Sequence, residues 1–189
     1  MARVGVLALQ GDFREHAAVL ESLGAEAVLV RKPEDLEGLD ALIIPGGEST
    51  TIGRLASLYG LLEPLRRRIE EGLPTLGTCA GMIFLAGSIT HGEQPQLRVL
   101  DLVVERNAFG RQAESFEEDL AVEGLGSFHG VFIRAPWVAK IGGEVEVLAE
   151  SQGHPVMVRQ GNVLGTSFHP ELTDDGRIHQ LLLDMAGED

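Results

Sequence analysis

The stretch Pro74–Gly87, PTLGTCAGMIFLAG, runs a short apolar strand pattern directly into a helical one. The join between them is Gly77-Thr78-Cys79-Ala80-Gly81, and Cys79 is the only cysteine in the chain. Gly-x-Cys-x-Gly at a strand-to-helix junction is the thiol form of a nucleophile elbow. The tight turn needs residues without a β-carbon on either side, and it pushes the central side chain out of the sheet. The following helix start places the positive end of a dipole beside the sulfur. A lone cysteine is also commonly a small buried apolar residue, and the glycine frame alone leaves both readings open.

Outward from this junction, the first half alternates apolar runs with helical patterns. VGVLAL (Val4–Leu9), EAVLVR (Glu26–Arg31), ALIIP (Ala41–Pro45) and PTLGT (Pro74–Thr78) read as buried strands. DFREHAAVLESLG places Phe13, Ala17, Leu20 and Leu23 at helical spacing and stops at Gly24. STTIGRLASLYG and LLEPLRRRIEEG read as two more helical pieces, with Pro64 in the first turn of the second. Strands alternating with helices predict a parallel sheet covered on both faces.

The second half is strand-rich: LDLVVERN, FHGVFIRAP, EVEVLAES, HPVMVRQ and NVLGTSFH are joined by glycine-rich turns and read as antiparallel additions. DDGRIHQLLLDMAG reads as a closing helix. The expectation is a single three-layer α/β domain over residues 1–189, with a mostly parallel central sheet and helices on both faces.

Composition bounds the function. Hydrophobic residues make up 44% and charged residues 23%, both ordinary for a globular chain. One cysteine cannot form an internal disulfide, which argues for a reducing compartment. MARVGVLALQGDF is apolar but too short to span a bilayer, and it soon meets Asp12, Arg14 and Glu15. A formal charge of -14 disfavours nucleic acid and anionic lipid as partners. The expected location is the cytoplasm.

A nucleophilic cysteine needs a base, and the base needs an orienting group. Of the six histidines, His169 ends the run NVLGTSFHPEL, and Glu171 follows two residues later. On an extended backbone, residues two apart point to the same side, so the carboxylate can fix the imidazole tautomer. A surface histidine beside a solvated glutamate is the alternative. His16 and His91, close to Glu15 and Glu93, read as solvated or capping residues. His129, His154 and His179 have no carboxylate at that spacing.

IIPGGEST (Ile43–Thr50) runs a strand into Gly46-Gly47, where backbone N–H groups stand free of side chains. With the N–H of Ala80 they are suited to stabilise an oxyanion. An ordinary helix entry with Ser49 or Thr50 as N-cap is compatible with that use. No cysteine or histidine pair stands at metal-ligand spacing, and no phosphate loop or dinucleotide fingerprint is present, so neither a metal nor a cofactor is expected.

Taken together, Cys79, His169, Glu171 and the Gly-Gly loop resemble the class I glutamine amidotransferases. GVLALQGDFREH, LIIPGGESTTI, GTCAGMIFLA, VVERNAFGRQAESFE, FIRAP and SFHPELTDD are similar to the glutaminase subunits of pyridoxal 5′-phosphate synthases. These stretches run from Gly5 to Asp175. Met82 and Ile83 stand where many class members carry a His-Gln pair, and Arg98 stands where relatives often have glycine.

The resemblance implies Cys79 as nucleophile, His169 as general base and acid, and Glu171 as orienting carboxylate. It implies oxyanion N–H groups from Gly47 and Ala80. It also implies a glutamine pocket lined by Gly46, Gly47, Glu48 and Ser49 and closed by Arg106, Ile133 and Arg134. An arginine suits the substrate α-carboxylate and a glutamate its α-ammonium. The implied partner is a TIM-barrel synthase subunit that receives ammonia, with Leu9–Asp12 near the contact. Pyridoxal phosphate is then the product of the complex, with no cofactor on this chain. A glutaminase subunit of another amidotransferase, a DJ-1-like cysteine hydrolase and a non-enzymatic cysteine-based redox sensor or binding module are the competing readings.

Overall fold

The computed structural model describes residues 1–109 and 115–188. Residues 110–114, which fall within the quoted stretch VVERNAFGRQAESFE, and residue 189 lie outside that description. The elements in chain order are β1 (Arg3–Leu7), α1 (Phe13–Ser22), β2 (Glu26–Val30), β3 (Ala41–Ile44), α2 (Ser49–Leu58), α3 (Leu62–Glu70), β4 (Thr75–Thr78) and α4 (Ala80–Leu85). They continue with β5 (Ala86–Ile89), β6 (Leu100–Glu105), β7 (Ser115–Val122), β8 (Gly126–Ile133) and β9 (Trp137–Ile141). The last are β10 (Glu146–Ser151), β11 (His154–Gln160), β12 (Val163–Thr166) and α5 (Arg177–Ala186).

The central sheet has seven strands in the order β10-β11-β12-β4-β3-β1-β2. From β12 to β2 every neighbouring pair is parallel, whereas β10-β11 and β11-β12 are antiparallel. The chain alternates faces along each buried strand, which is why the strands read as unbroken apolar runs. In β3, Ala41 and Ile43 join one core with Leu20, Phe168, Ile178 and Leu182, contributed largely by α1 and α5. Leu42 and Ile44 join the other with Ile52, Leu65 and Phe84, from α2, α3 and α4. The result is the expected three-layer α/β domain.

Several local readings are corrected. β12 pairs parallel to β4, so NVLGTSFH completes the parallel core rather than extending it antiparallel. The apolar run after Cys79 is helical only to Leu85; Ala86–Ile89 then pairs with β6 in a second sheet, β5-β6-β9. β7 and β9 were not read as strands. β7 forms a two-stranded ribbon with β8 and buries only Leu120 and Val122 fully, and β9 is an edge strand that buries only Val138. Arg98, which stands where relatives often have glycine, has φ 56°, a left-handed backbone that glycine adopts most easily.

Sheet order decides where a site can form. From β1 the chain goes to β2 on one side and to β3 on the other, so the loops leaving β1 and β3 diverge. A crevice opens at the carboxyl ends of the strands at such a reversal. The loops after β1, β3 and β4 carry Gln10–Asp12, Gly46–Glu48 and Cys79 respectively.

Candidate active site

Cys79 sits between β4 and α4 with φ 51° and ψ -108°, a strained conformation for a residue with a side chain. Its N–H donates to the Thr166 carbonyl (2.7 Å), tying the elbow to β12. The two flanking glycines are required by contact. A β-carbon at Gly81 would lie 1.9 Å from the Ile44 carbonyl oxygen, and one at Gly77 would lie 2.4 Å from Leu85 Cδ1. The sulfur is almost buried, at 6% residue exposure, and lies 3.8 Å from the Ile133 carbonyl oxygen.

His169 follows β12 because Phe168 is fully buried in the core, which turns the next side chain toward the crevice. Its N–H donates to the Val131 carbonyl (2.8 Å). Pro170 then begins a 3₁₀ turn, Pro170–Leu172, that folds Glu171 back under the imidazole. The pairing predicted from an extended backbone therefore arises from a turn. His169 Nδ1 lies 2.5 Å from Glu171 Oε1 and 3.3 Å from Asp12 Oδ2. Both carboxylates engage Nδ1, and Cys79 lines the same cavity as the ring. Burial pulls the imidazole down, but hydrogen bonds with Asp12, Cys79 and Glu171 and the charge of Cys79 override it. The ring is pushed up to about 12. Burial raises the Glu171 carboxyl, and the hydrogen bond and charge of His169 act against that rise.

Asp12, His169 and Glu171 bring donor atoms within 4.8 Å of one another. The 2.5 Å between His169 Nδ1 and Glu171 Oε1 is hydrogen-bond spacing. Two ligands at about 2.0 Å from a tetrahedral zinc ion would stand roughly 3.3 Å apart. The donor set fits an orienting pair better than a metal centre.

The Gly-Gly loop packs against the other partners. A β-carbon at Gly46 would lie 2.4 Å from His169 Cε1, and one at Gly47 would lie 2.3 Å from Gln10 Oε1. Asp12 N–H donates to Gly46 O (3.0 Å), and Glu48 N–H donates to Gln10 Oε1 (2.8 Å). The N-cap of α2 is Glu48, not Ser49 or Thr50: its carboxylate accepts from Thr50 N–H (3.1 Å) and Thr51 N–H (2.8 Å). Slight burial would raise that carboxyl, but the hydrogen bonds from Thr51 and Thr50 outweigh it and hold it below its ordinary value. It remains an anion at the rim of the site.

These groups line a cavity of about 520 Å³ whose wall includes Gly47, Glu48, Ser49, Cys79, Ala80 and His169. Arg106, Ile133 and Arg134 complete its lining. Arg106 Nη1 donates to Gln94 Oε1 (3.0 Å), and Arg134 turns at φ 45°. Gly46 packs directly against the His169 ring. All the residues expected from the sequence thus gather in one place.

Sequence reasoning missed four neighbours. Asp12 and Gln10 reach the site from the loop after β1, and only topology reveals that. His16, expected to be solvated or capping, is fully buried, and so is His179. His16 Nδ1 lies 2.8 Å from His179 Nε2, and His16 Nε2 lies 3.1 Å from Thr78 Oγ1 and 3.4 Å from Glu171 Oε2. The helical spacing of Phe13, Ala17 and Leu20 brackets His16 and was the available signal for its burial.

A buried thiol at a strained elbow, an imidazole on a carboxylate and backbone N–H groups beside them define a thiol-dependent amidohydrolase built on a doubly wound sheet. The chain belongs to the SNO glutamine amidotransferase family, which it matches over residues 6–188. It is 67% identical over 186 residues to a Thermus thermophilus protein named pyridoxal 5′-phosphate synthase subunit PdxT, covering 97% of each chain. A Mycobacteroides abscessus protein of the same name is 58% identical, covering 97% of this chain and 96% of its own. A solved structure described as a glutamine amidotransferase superposes with a TM-score of 0.95 at 65% identity, covering 97% and 98% of the two chains. The Thermotoga maritima PurLQS structure, at 18% identity and a TM-score of 0.74, shares the fold. Family membership sets aside the DJ-1-like and redox-sensor readings. Among the described residues no helix is long and apolar enough to cross a membrane.

Proposed function

We propose that this chain, acting as one domain over residues 1–189, is the glutaminase subunit of a pyridoxal 5′-phosphate synthase. It hydrolyses L-glutamine to L-glutamate and ammonia in the cytoplasm and passes the ammonia to a TIM-barrel synthase subunit. The observation that carries this reading is a thiol and a carboxylate-held imidazole lining one cavity in a chain 67% identical, over 97% of its length, to a protein of that name.

The chemistry follows from the site. The Cys79 thiolate attacks the side-chain carboxamide carbon, and the charge that develops on oxygen falls to the N–H groups of Gly47 and Ala80. His169 protonates the departing nitrogen, ammonia leaves and a thioester remains. His169 then takes a proton from water, and the resulting hydroxide attacks the thioester. The bond to sulfur breaks, releasing glutamate and restoring the thiolate. Glu171 fixes the tautomer of His169 throughout. Arg106 and Arg134 suit the α-carboxylate of glutamine, and Glu48 suits its α-ammonium.

Ammonia released into water is protonated and lost, so hydrolysis should be coupled to docking. The hydrogen bonds from Asp12 N–H to Gly46 and from Glu48 N–H to Gln10 support this coupling. A partner pressing on Leu9–Asp12 would act directly on the oxyanion loop. The test is glutaminase turnover with and without the synthase subunit. Low activity alone and a rise on mixing support the reading, and equal turnover contradicts the gating.

A further inference from the structure

Behind Glu171 lies a fully buried polar chain that the reaction above does not use. Glu171 Oε1 is taken by His169, but Oε2, also buried, makes no hydrogen bond among the described residues. His16 Nε2, on α1, stands 3.4 Å from it and 3.1 Å from Thr78 Oγ1. His179, on α5, sits behind it, with Nε2 at 2.8 Å from His16 Nδ1. Burial lowers both histidines, and His179 and His169 lower His16 further, so both rings are neutral at ordinary pH.

A neutral ring has one N–H, and the surroundings decide where it sits. With the proton on Nε2, His16 points an N–H at the carboxylate and at Thr78, and its bare Nδ1 accepts from His179 Nε2–H. His179 Nδ1, which has no partner among the described residues, is then an empty acceptor. With the opposite tautomers, a lone pair would face the Glu171 carboxylate and His179 would bury an unsatisfied N–H. Buried orphan N–H groups are the rarer of the two, and a lone pair against an anion is repulsive. The first arrangement is favoured.

We infer that His16 is a positioning residue for the glutaminase reaction, its tautomer set by His179 and its Nε2–H shared between Thr78 and Glu171 Oε2. A carboxylate removed from water needs donors on both oxygens to stay ionised. His169 and Asp12 face Glu171 from the crevice side, and Asp12 is itself an anion that disfavours its charge. His169 and the backbone N–H of Glu171 act against this, and His16 Nε2 stands 3.4 Å away on the far side. The ordered set is Cys79, His169, Glu171, His16, His179, running from the cavity wall through the core to α5.

This inference rests on the proposed function, and its test is chosen to separate the two. Glu171 ionisation is read directly from its side-chain carboxyl carbon-13 shift against pH in the whole chain, which needs no turnover. Two amide variants differ by one methylene. In His16→Asn the amide reaches only the former Nδ1 position, toward His179; in His16→Gln it reaches the former Nε2 position, toward Glu171. Loss of a hydrogen bond to a charged group should raise the Glu171 midpoint in His16→Asn by about one pH unit. His16→Gln should bring it most of the way back.

In complex with the synthase subunit, the acid limb of kcat/KM should move the same way. The kcat of His16→Asn should fall about tenfold, with KM within roughly twofold, as expected when an interaction made in the transition state is weakened. Equal midpoints in the wild type and both variants, or equal shifts in both variants, would overturn the inference. Should His16→Asn fail to fold, His16→Ala, which also leaves no donor toward Glu171, takes its place beside His16→Gln: a raised midpoint in His16→Ala that His16→Gln brings back supports the inference, and equal midpoints in both overturn it. An absence of turnover in the wild-type complex would instead count against the proposed function and leave the carbon-13 result standing.

Discussion

His169 Nδ1 lies 2.5 Å from Glu171 Oε1 and 3.3 Å from Asp12 Oδ2, so one buried imidazole nitrogen is shared by two carboxylates. Replacing the orienting acid of a Ser-His-Asp triad by its amide costs up to about 10⁴ in kcat, through the wrong tautomer. Asp12 gives this site a second acceptor. Glu171→Gln is therefore expected to slow thioester formation less than His169→Ala does, while the fold stays intact. Single-turnover acylation of the two variants checks this; equal loss would move the orienting role away from Glu171.

Gly46 tests how tightly the imidazole is placed. An added β-carbon would stand 2.4 Å from His169 Cε1, and the ring, being a side chain, gives way before the sheet does. Misplacing a reacting group by about 1 Å can cost roughly 10²-fold. Gly46→Ala is expected to lose about that much in kcat while melting close to the wild type. Thermal melts and steady-state kinetics on the same preparation separate the two effects.

The buried histidines set a pH dependence of stability. His179 is pushed down to about 4 by burial, from an ordinary value of 6.5. Between those values the unfolded chain binds a proton that the folded chain refuses, so this contribution is present above 6.5 and is lost on acidification toward 4. His169 is raised and works oppositely: its contribution is full below 6.5 and fades as pH rises toward about 12, so it does not weaken the fold in acid. His179→Gln keeps a donor toward His16 without titrating. Its stability should fall less steeply with acid than that of the wild type, by up to about 1.4 kcal/mol per pH unit. Denaturant melts across this window measure the difference, and parallel curves would show that His179 does not titrate on unfolding.

Much of this architecture was legible because local signals agreed. The runs of β1, β2, β3 and β4 are apolar on both faces, as buried parallel strands must be, and Gly77, Cys79 and Gly81 mark the tight turn, though the glycine frame alone leaves the role of the thiol open. Less was legible where the partner is distant in sequence. Gln10 and Asp12 join the site only because β1 lies next to β3, and β12 is parallel only because the chain crosses back to β4. His16 looked solvated beside Glu15, yet it lies fully buried against a histidine 163 residues away. Glu171 was paired with His169 for the wrong backbone reason, since Pro170 starts a turn there. β7 and β9 bury too little to stand out from loops.

The most direct test of the central claim is pyridoxal phosphate synthesis by the complex of Cys79→Ala with the synthase subunit, fed either glutamine or a high concentration of ammonium salt. Alanine removes the sulfur without adding bulk at a helix start, so the domain should fold, dock and bind glutamine. No thioester can form. The account predicts no synthesis from glutamine and restored synthesis from ammonium. Synthesis from glutamine by this variant would contradict Cys79 as the nucleophile, and failure of ammonium to rescue an intact complex would contradict ammonia as the species transferred.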